Sequence, residues 1–199
     1  MQVIGITGGI GAGKSVVSRI LRCRGYAVYD CDFEAHMIMD ASDDLKSAVV
    51  GRFGAGCVDG EGMLDRKEIA RYVFGDDGHR LWLNSLVHSM VRDDIVRRLA
   101  DAPGPLFFVE SAILRTSGLS ELCDAVWIVE ASEDIRLARA CMRDNTDERS
   151  VKARIDAQRD ELTGFRDLAV DVVFNDGRTP LLPQIDNLLN KILRKCLEK

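Results

Sequence analysis

The chain has 199 residues, of which 46% are hydrophobic and 30% charged, and its formal net charge is −5. This length and composition predict one globular domain that has room for a small inserted subdomain. The acidic balance argues against a protein that binds nucleic acid or a membrane surface, because both usually carry a basic face.

The sequence shows neither the basic leader of a signal peptide nor an apolar run long enough to cross a bilayer. We therefore expect a cytoplasmic protein. Its six cysteines form no C-x-x-C pair and are scattered along the chain. In a reducing compartment such thiols are mostly small core residues, so we expect no metal or redox role for them.

The first predicted elements alternate between strand and helix. Residues 2–7 form a short apolar run that is typical of a buried parallel strand, and residues 14–25 have apolar positions at helical spacing. Residues 26–32, YAVYDCD, favour a second strand, and residues 33–39 favour a helix. The region from 42 to 104 is predicted to be mainly helical, with a loop over residues 56–64.

Later segments continue this alternation. Strands are predicted over residues 105–111, 125–132 and 170–177, and helices follow in residues 132–144, 145–162 and 181–197. Strands separated by helices predict an α/β fold with a parallel sheet flanked by helices. We expect a single domain of residues 1–199, with a core of about 1–40 and 104–199 and a helical lobe inserted at about 42–103.

A glycine-rich stretch follows the first predicted strand. Residues 8–15, GGIGAGKS, match the pattern G-x-x-x-x-G-K-[ST], and the match lies between a predicted strand and a predicted helix, as this motif requires. Glycines let the backbone turn its amide groups towards a phosphate, and the helix N-terminus adds a positive dipole end. The sequence therefore predicts a P-loop that binds ATP through these residues: Gly8, Gly9, Gly11, Ala12, Gly13, Lys14, Ser15 and Val16.

Two members of this loop have side-chain roles. We expect Lys14 to hold the β- and γ-phosphates and the Ser15 hydroxyl to ligate Mg²⁺. A GTPase is disfavoured because the guanine-reading N-K-x-D is absent. The strand at 105–111 carries Glu110 in place of a Walker-B aspartate, and the chain is short for a motor protein.

Two acidic residues stand at the end of the second predicted strand. Asp30 and Asp32 are two positions apart, so on an extended chain both side chains would point the same way. Ligands of parallel α/β sheets bind at the carboxyl ends of the strands, where a carboxylate can accept a proton from an attacking hydroxyl. We favour Asp32 as this base, whereas for Asp30 a site role and a helix-capping role are equally open.

A cluster of arginines follows the fourth predicted strand. Arg139 and Arg143 lie four apart on one helix face, and Arg149 and Arg154 follow a polar loop. Phosphoryl transfer needs positive charge over the triphosphate, and a lid of about residues 139–155 would supply it. The alternative is an ordinary solvated basic face. In combination with the P-loop, we favour the lid.

Several motifs in this order resemble those of the dephospho-CoA kinase family. These are ITGGIGAGKS at the P-loop, DCD after the second strand, LNSLVHS in the helical region, RACMRD in the lid, and RIDAQ followed by NDG. The resemblance implies a P-loop NTPase fold with a helical substrate lobe and an arginine lid. It also implies that ATP phosphorylates the ribose 3′-hydroxyl of dephospho-CoA, giving CoA and ADP.

The resemblance implies roles for single residues. Asp32 corresponds to the family's proposed base and Arg139 to its lid arginine, with Arg143 nearby at the nucleotide. His88 falls in the segment associated with the acceptor, although a partly buried structural histidine fits its apolar helix better. Where many members have PLLFE, this chain has AILRT at 112–116, so Thr116 stands in place of a glutamate. Glu110 and Glu121 are candidates to compensate for that charge.

Two alternative functions stay open at this point. One is another small-metabolite or nucleoside kinase with a P-loop, and the other is an ATP-binding regulatory protein with little transfer activity. For the favoured function we expect dephospho-CoA as the partner substrate, no nucleic acid, no membrane, and a monomer or weak homo-oligomer.

Overall fold

The computed structural model describes residues 1–165 and 167–197. Its sheet contains five strands, all parallel, in the order β2-β3-β1-β4-β5. Because parallel strands share one direction, their carboxyl ends meet at one edge of the sheet. The strands are β1 (Gln2–Thr7), β2 (Ala27–Asp30), β3 (Leu106–Glu110), β4 (Ala125–Glu130) and β5 (Ala169–Phe174).

Eight α-helices lie in the described part of the chain. They are α1 (Lys14–Cys23), α2 (Cys31–Ala41), α3 (Asp43–Phe53), α4 (Arg66–Val73), α5 (Asp77–Asp101), α6 (Glu133–Asp144), α7 (Glu148–Ala157) and α8 (Leu181–Leu197). Short 3-10 turns follow α3, β3 and α7. The predicted α/β class with a parallel sheet flanked by helices is confirmed. None of the described helices is long and apolar enough to span a membrane.

Contacts divide the chain into two compact units. The first comprises Met1–Asp30 and Ala102–Lys199, and the second comprises Cys31–Asp101. The sequence predicts a core that includes residues up to about 40, whereas the structure groups α2 with the other helices of the second unit. The physical reason is that α2 packs mainly on α5.

The first unit has its core between the sheet and two helices. Ile6, Phe108 and Trp127, from three neighbouring strands, are fully buried. They pack in one cluster with Leu21 of α1 and Ile185 of α8. This burial fixes α1 on the sheet, and so fixes the loop that joins β1 to α1.

The second unit has a core of its own. Leu45, Val49 and Ile69, from α3 and α4, are buried together with Cys57. Phe53 extends this core, since its ring stacks on that of Tyr72 and meets the ring of Trp82 edge to face. The loop predicted at residues 56–64 is present, closed by an antiparallel bridge between Val58 and Leu64.

The end of the second strand differs from the prediction. The sequence predicts a strand that extends to Asp32, but β2 ends at Asp30 and α2 begins at Cys31. Asp32 is therefore the second residue of a helix. The expectation that Asp30 and Asp32 share one face of an extended strand is wrong, because the period of the backbone changes between them.

Candidate active site

The glycine-rich loop lies where the sequence predicted it, between β1 and the first turn of α1. Its backbone turns sharply, since the Ala12 amide donates to the Gly9 carbonyl at 3.0 Å. Gly11 and Gly13 adopt φ values of +75° and +98°. Residues with side chains rarely adopt this left-handed conformation, so these two positions require glycine.

The N-terminus of α1 has the properties of an anion site. Its N-cap residue is Gly13, so no side chain caps the helix there. Backbone amides at an uncapped helix start, together with the helix dipole, favour a phosphate group. The Lys14 ammonium group donates to the Gly8 carbonyl at 2.8 Å and therefore lies at the same loop. These residues fit the triphosphate of ATP.

The next two residues differ in what they offer. Ser15 is exposed at the first turn of α1, and its hydroxyl is a hard oxygen donor of the kind that Mg²⁺ prefers. Val16 contributes an exposed apolar side chain, while its amide donates to Gly13. Within the described residues, no group of three or more His, Cys, Asp or Glu side chains could hold a metal ion.

The loop is packed closely by a residue that the sequence analysis missed. A Cβ atom on Gly9 would overlap the Arg136 guanidinium, and one on Gly11 would overlap the Arg136 backbone carbonyl. Arg136 belongs to α6, one turn before Arg139. The signal was present in the sequence, because Arg136, Arg139 and Arg143 recur at helical spacing.

Arg139 is connected to the loop through one intermediate residue. Its Nη1 donates to the Asn175 carbonyl at 2.9 Å, and the Asn175 side-chain amide donates to the Ala12 carbonyl at 2.8 Å. Asn175 also packs so tightly on Gly13 that a side chain there would overlap it. The structure therefore brings the predicted lid arginine and the P-loop to a common partner.

Arg143 is held by a different contact. Its guanidinium donates twice to Asp144, and Arg154 of α7 donates to the same carboxylate at 2.8 Å. These two guanidinium groups hold the pKa of Asp144 well below its usual range, the hydrogen bonds from Arg143 being the largest cause. Asp144 therefore ties the end of α6 to α7. Arg149 is exposed near the start of α7.

A buried carboxylate lies beside the P-loop helix. Glu110 ends β3, pairs in register with Asp30 of β2, and is only 8% exposed. Burial raises its pKa and Asp30 raises it further, while Ser18, Lys14 and Arg22 act in the opposite direction. Its Oε2 atom has no hydrogen-bond partner among the described residues. Asp30 itself faces Arg22, at 3.9 Å.

The proposed base Asp32 and the segment that contains His88 both belong to the second unit. Asp32 is exposed in the first turn of α2, and its backbone carbonyl is 2.6 Å from Nδ1 of His36. His88 is half-buried in α5, and burial lowers its pKa. The partial burial of His88 is compatible with the structural role that we favoured, which stays a prediction.

The segment 112–116 is hydrogen-bonded to a carboxylate that the sequence motifs do not indicate. Glu161, which is buried, accepts a hydrogen bond from the Thr116 hydroxyl and another from the Thr116 amide at 3.3 Å. From the sequence, Glu110 and Glu121 are the candidates for this place. Glu161 is 45 residues away in the chain, and no local pattern linked it to Thr116.

A family model described as dephospho-CoA kinase matches residues 2–180. The chain belongs to the dephospho-CoA kinase family. Two curated dephospho-CoA kinases are each 35% identical: that of Porphyromonas gingivalis, matched over 98% of this chain and 96% of its own, and that of Nitrosospira multiformis, matched over 96% of both. Membership makes the chain a kinase that uses ATP.

Solved structures agree on the fold. A crystal structure of a Thermus thermophilus protein is 31% identical, with a TM-score of 0.77 and coverage of 98% of this chain and 97% of that chain. A dephospho-CoA kinase from Campylobacter jejuni is 23% identical, with a TM-score of 0.67 and coverage of 96% and 98%. The expected P-loop NTPase fold is confirmed.

Proposed function

We propose that this protein transfers the γ-phosphoryl group of ATP to the ribose 3′-hydroxyl of dephospho-CoA, using residues of the P-loop, the start of α2 and the lid helices. The observation that carries this proposal is the Gly8–Ser15 loop at the uncapped N-terminus of α1, in a chain of the dephospho-CoA kinase family. A helix start of this kind binds phosphate.

The glycine-rich loop binds ATP in this proposal. The backbone from Gly8 to Val16 surrounds the phosphates, and Lys14 supplies a point charge for the β- and γ-phosphates. The lysine is supported in this role by its position, since it already donates to the Gly8 carbonyl. Arg143 adds positive charge near the bound nucleotide.

The Ser15 hydroxyl is the proposed protein ligand for Mg²⁺. When bound, the ion neutralises the charge of the phosphate oxygens. Ser15 is exposed at the helix start, so its hydroxyl is accessible to an ion carried by the nucleotide.

Asp32 is the proposed general base. Its carboxylate takes the proton of the 3′-hydroxyl while that oxygen bonds to the γ-phosphorus, and the bond from the γ-phosphorus to the β–γ bridging oxygen breaks. The products are CoA and ADP. Exposure of Asp32 supports this role, because the carboxylate is open to a substrate.

Arg139 is the proposed stabiliser of the transferred group. Charge spreads over the phosphoryl oxygens during transfer, and a guanidinium placed there lowers the barrier. One of its N–H groups is bonded to the Asn175 carbonyl, and a guanidinium has five such donors, so others are available for phosphate. We further propose a cytoplasmic monomer or weak homo-oligomer that needs neither nucleic acid nor membrane.

A direct assay tests the reaction. The purified protein is incubated with Mg-ATP and dephospho-CoA, and CoA and ADP are followed by mass spectrometry, with Lys14→Ala as the control. We expect equal amounts of CoA and ADP from the wild type and neither from the variant. ATP binding without CoA formation would refute the proposed acceptor.

A second assay tests the base. Asp32→Asn should lower kcat by about 10²- to 10⁴-fold, the range for loss of a general base, and leave ATP affinity unchanged. Asp44→Asn, an exposed change in α3 of the same unit, is the matched control and should keep full activity. A kcat within twofold of wild type for Asp32→Asn would exclude Asp32 as the base.

A further inference from the structure

The turn after α7 connects parts of the chain that are distant in sequence. It consists of Gln158, which ends α7, and Arg159, Asp160 and Glu161, which begin the following 3-10 turn. Here we call these four residues the 158–161 turn. Its first and last side chains both point to backbone amides of loops at the carboxyl edge of the sheet.

Gln158 holds the P-loop directly. Its side-chain oxygen Oε1 accepts a hydrogen bond from the Ile10 backbone amide at 2.9 Å, across 148 residues of sequence. Ile10 is the third residue of the Gly8–Ser15 loop and is only 6% exposed. A buried amide needs a partner, so Gln158 satisfies a donor that water cannot easily reach.

Apolar contacts hold the same point of the loop. The Ile10 side chain packs in a small cluster with Ala140 of α6 and with Val151 and Ile155 of α7. The loop therefore contacts α6 and α7 through the buried Ile10 side chain, and its Ile10 amide donates to the side chain of Gln158, the C-cap residue of α7. This arrangement fixes both the position and the rotation of the Ile10 peptide.

The other end of the 158–161 turn is anchored to the segment after β3. Glu161 accepts hydrogen bonds from the amide and the hydroxyl of Thr116, and the Arg115 guanidinium donates to the Asp160 carbonyl at 3.0 Å. Glu161 is 5% exposed, so its carboxylate is largely shielded from solvent, whereas Thr116 and the Arg115–Asp160 bond lie at the surface. Gln158 thus extends from a turn that is itself held in place.

We propose that Gln158 is a positioning residue for the nucleotide: it holds the Ile10 peptide so that the amides of the following residues are already directed at the phosphates when ATP arrives. Glu161 acts through Gln158 by anchoring the turn. The identity of the nucleotide rests on the proposed function, whereas the contact that positions the loop does not.

This arrangement predicts where a defect would appear. Without the acceptor, the Ile10 peptide can rotate to find another partner, and the loop is no longer ordered in advance. The entropy cost of ordering the loop would then be incurred on binding, and this lowers the affinity for the phosphates. Interactions with the acceptor substrate would be unaffected.

The test replaces Gln158 by methionine, which has a similar length and no hydrogen-bonding oxygen. Binding of Mg-ATP and Mg-ADP is measured by titration calorimetry. We expect both dissociation constants to rise about tenfold, as for the loss of one hydrogen bond to a buried amide. The KM for dephospho-CoA should stay within twofold of wild type.

Asp124→Leu is the matched control. Asp124 accepts a hydrogen bond from the Val3 amide at 2.7 Å, at the amino end of β1, so this variant loses the same kind of bond far along the strand from the loop. We expect it to lower the melting temperature while leaving ATP affinity unchanged. If Gln158→Met lowers the melting temperature and leaves ATP affinity within twofold, Gln158 is only structural and the proposal is overturned.

A double-mutant cycle tests the link to Glu161. Glu161→Leu should weaken ATP binding several-fold, and Glu161→Gln, which keeps an acceptor for Thr116, should bind nearly as wild type. Because Glu161 acts through Gln158, the double variant Gln158→Met/Glu161→Leu should bind ATP no more weakly than the weaker single variant. Effects that multiply would overturn this link. A wild type that fails to bind ATP would instead refute the proposed function.

Discussion

Gly11 and Gly25 share a backbone conformation but differ in their surroundings. Their φ values are +75° and +84°. A Cβ atom on Gly11 would overlap the Arg136 backbone, whereas one on Gly25 would meet no atom within 4 Å. Substituting each glycine by alanine therefore separates the free-energy cost of a left-handed backbone from the additional cost of close packing.

We expect Gly25→Ala to lower the free energy of unfolding by roughly 1–2 kcal/mol, the cost of a left-handed conformation for a residue with a side chain. Gly11→Ala should cost more, because backbone atoms must also move. It should also weaken ATP binding by about tenfold or more, or about 1.4 kcal/mol. Chemical denaturation and calorimetry measure the two effects. Equal costs at both positions would contradict the packing seen around Gly11.

The free energy of unfolding of the protein should depend on pH because of Glu110. Burial raises its pKa in the folded protein above that of the unfolded chain. Between the two values the native state binds more protons, so the free energy of unfolding should fall as the pH rises through this window. Glu110→Gln removes the titration. We expect its unfolding free energy to fall less with rising pH than that of wild type.

Glu121→Gln is the control for this measurement, since Glu121 is exposed. Urea denaturation of the three proteins is followed from about the ordinary glutamate pKa of 4.3 upwards. The difference between wild type and Glu110→Gln should grow with pH, and the Glu121 variant should follow wild type. Parallel curves for wild type and Glu110→Gln would show that Glu110 ionises equally in both states.

Helix α1 carries the P-loop at one end and is held by its buried face. Leu21 is fully buried in the cluster that joins the sheet to α8, whereas Leu182 of α8 is 52% exposed. Leu21→Ala should lower the free energy of unfolding by about 2–5 kcal/mol, because it removes buried methyl groups and leaves a cavity. Leu182→Ala should change it by about 0.5 kcal/mol or less. Similar losses from both would contradict the assigned core.

Elements with strong local signals could be predicted from the sequence. The strand–loop–helix unit of residues 2–23 combines β-branched residues, a glycine motif and helical spacing, and all three agree with the structure. The end of β2 could not be predicted. No turn residue separates Asp30 from Cys31, and both the strand and the helix are decided by packing rather than by local propensity.

Contacts within the site were harder to predict than its elements. The loop's glycines and lysine are local, so their pattern was informative. The partners of the loop come from far along the chain: Gln158 for Ile10, Asn175 for Ala12, and Glu161 for Thr116. Such pairs depend on the tertiary fold, which one sequence does not specify by pattern.

The molecule as a whole has a buried thiol in each unit. Cys123 lies in the first unit, where burial raises its pKa to about 12, and Cys57 is fully buried in the second, where burial also raises its pKa. Because the thiolate is the reactive form, both should react only when their unit opens. Cys23 is exposed, so its labelling rate measures how fast the reagent reacts with an accessible thiol.

Saturating Mg-ATP should therefore protect the two buried thiols unequally. Ligand at about 100 times its dissociation constant stabilises the binding unit by about 2.7 kcal/mol, which slows labelling of Cys123 about 100-fold. Cys57 should be slowed much less. Rates of alkylation at each site, read by mass spectrometry, provide the measurement.

Cys23 serves as the control in this experiment, and ATP should leave its rate unchanged. The predicted difference assumes that each unit opens on its own. Equal protection of Cys57 and Cys123 would contradict this, because it would show that both units open together in one cooperative transition.

The strand order has a consequence for synthesis on the ribosome. The first strand to be made, β1, lies at the centre of the sheet, and its register partners come late: Gln2 pairs with Leu106, and Ile4 with Ala125. At about 5–20 residues per second, roughly 6–25 s of translation separate β1 from its second neighbour. The nascent chain must carry this apolar strand without its full pair of neighbours for that time, while the residues of the helical second unit are already available to collapse on one another.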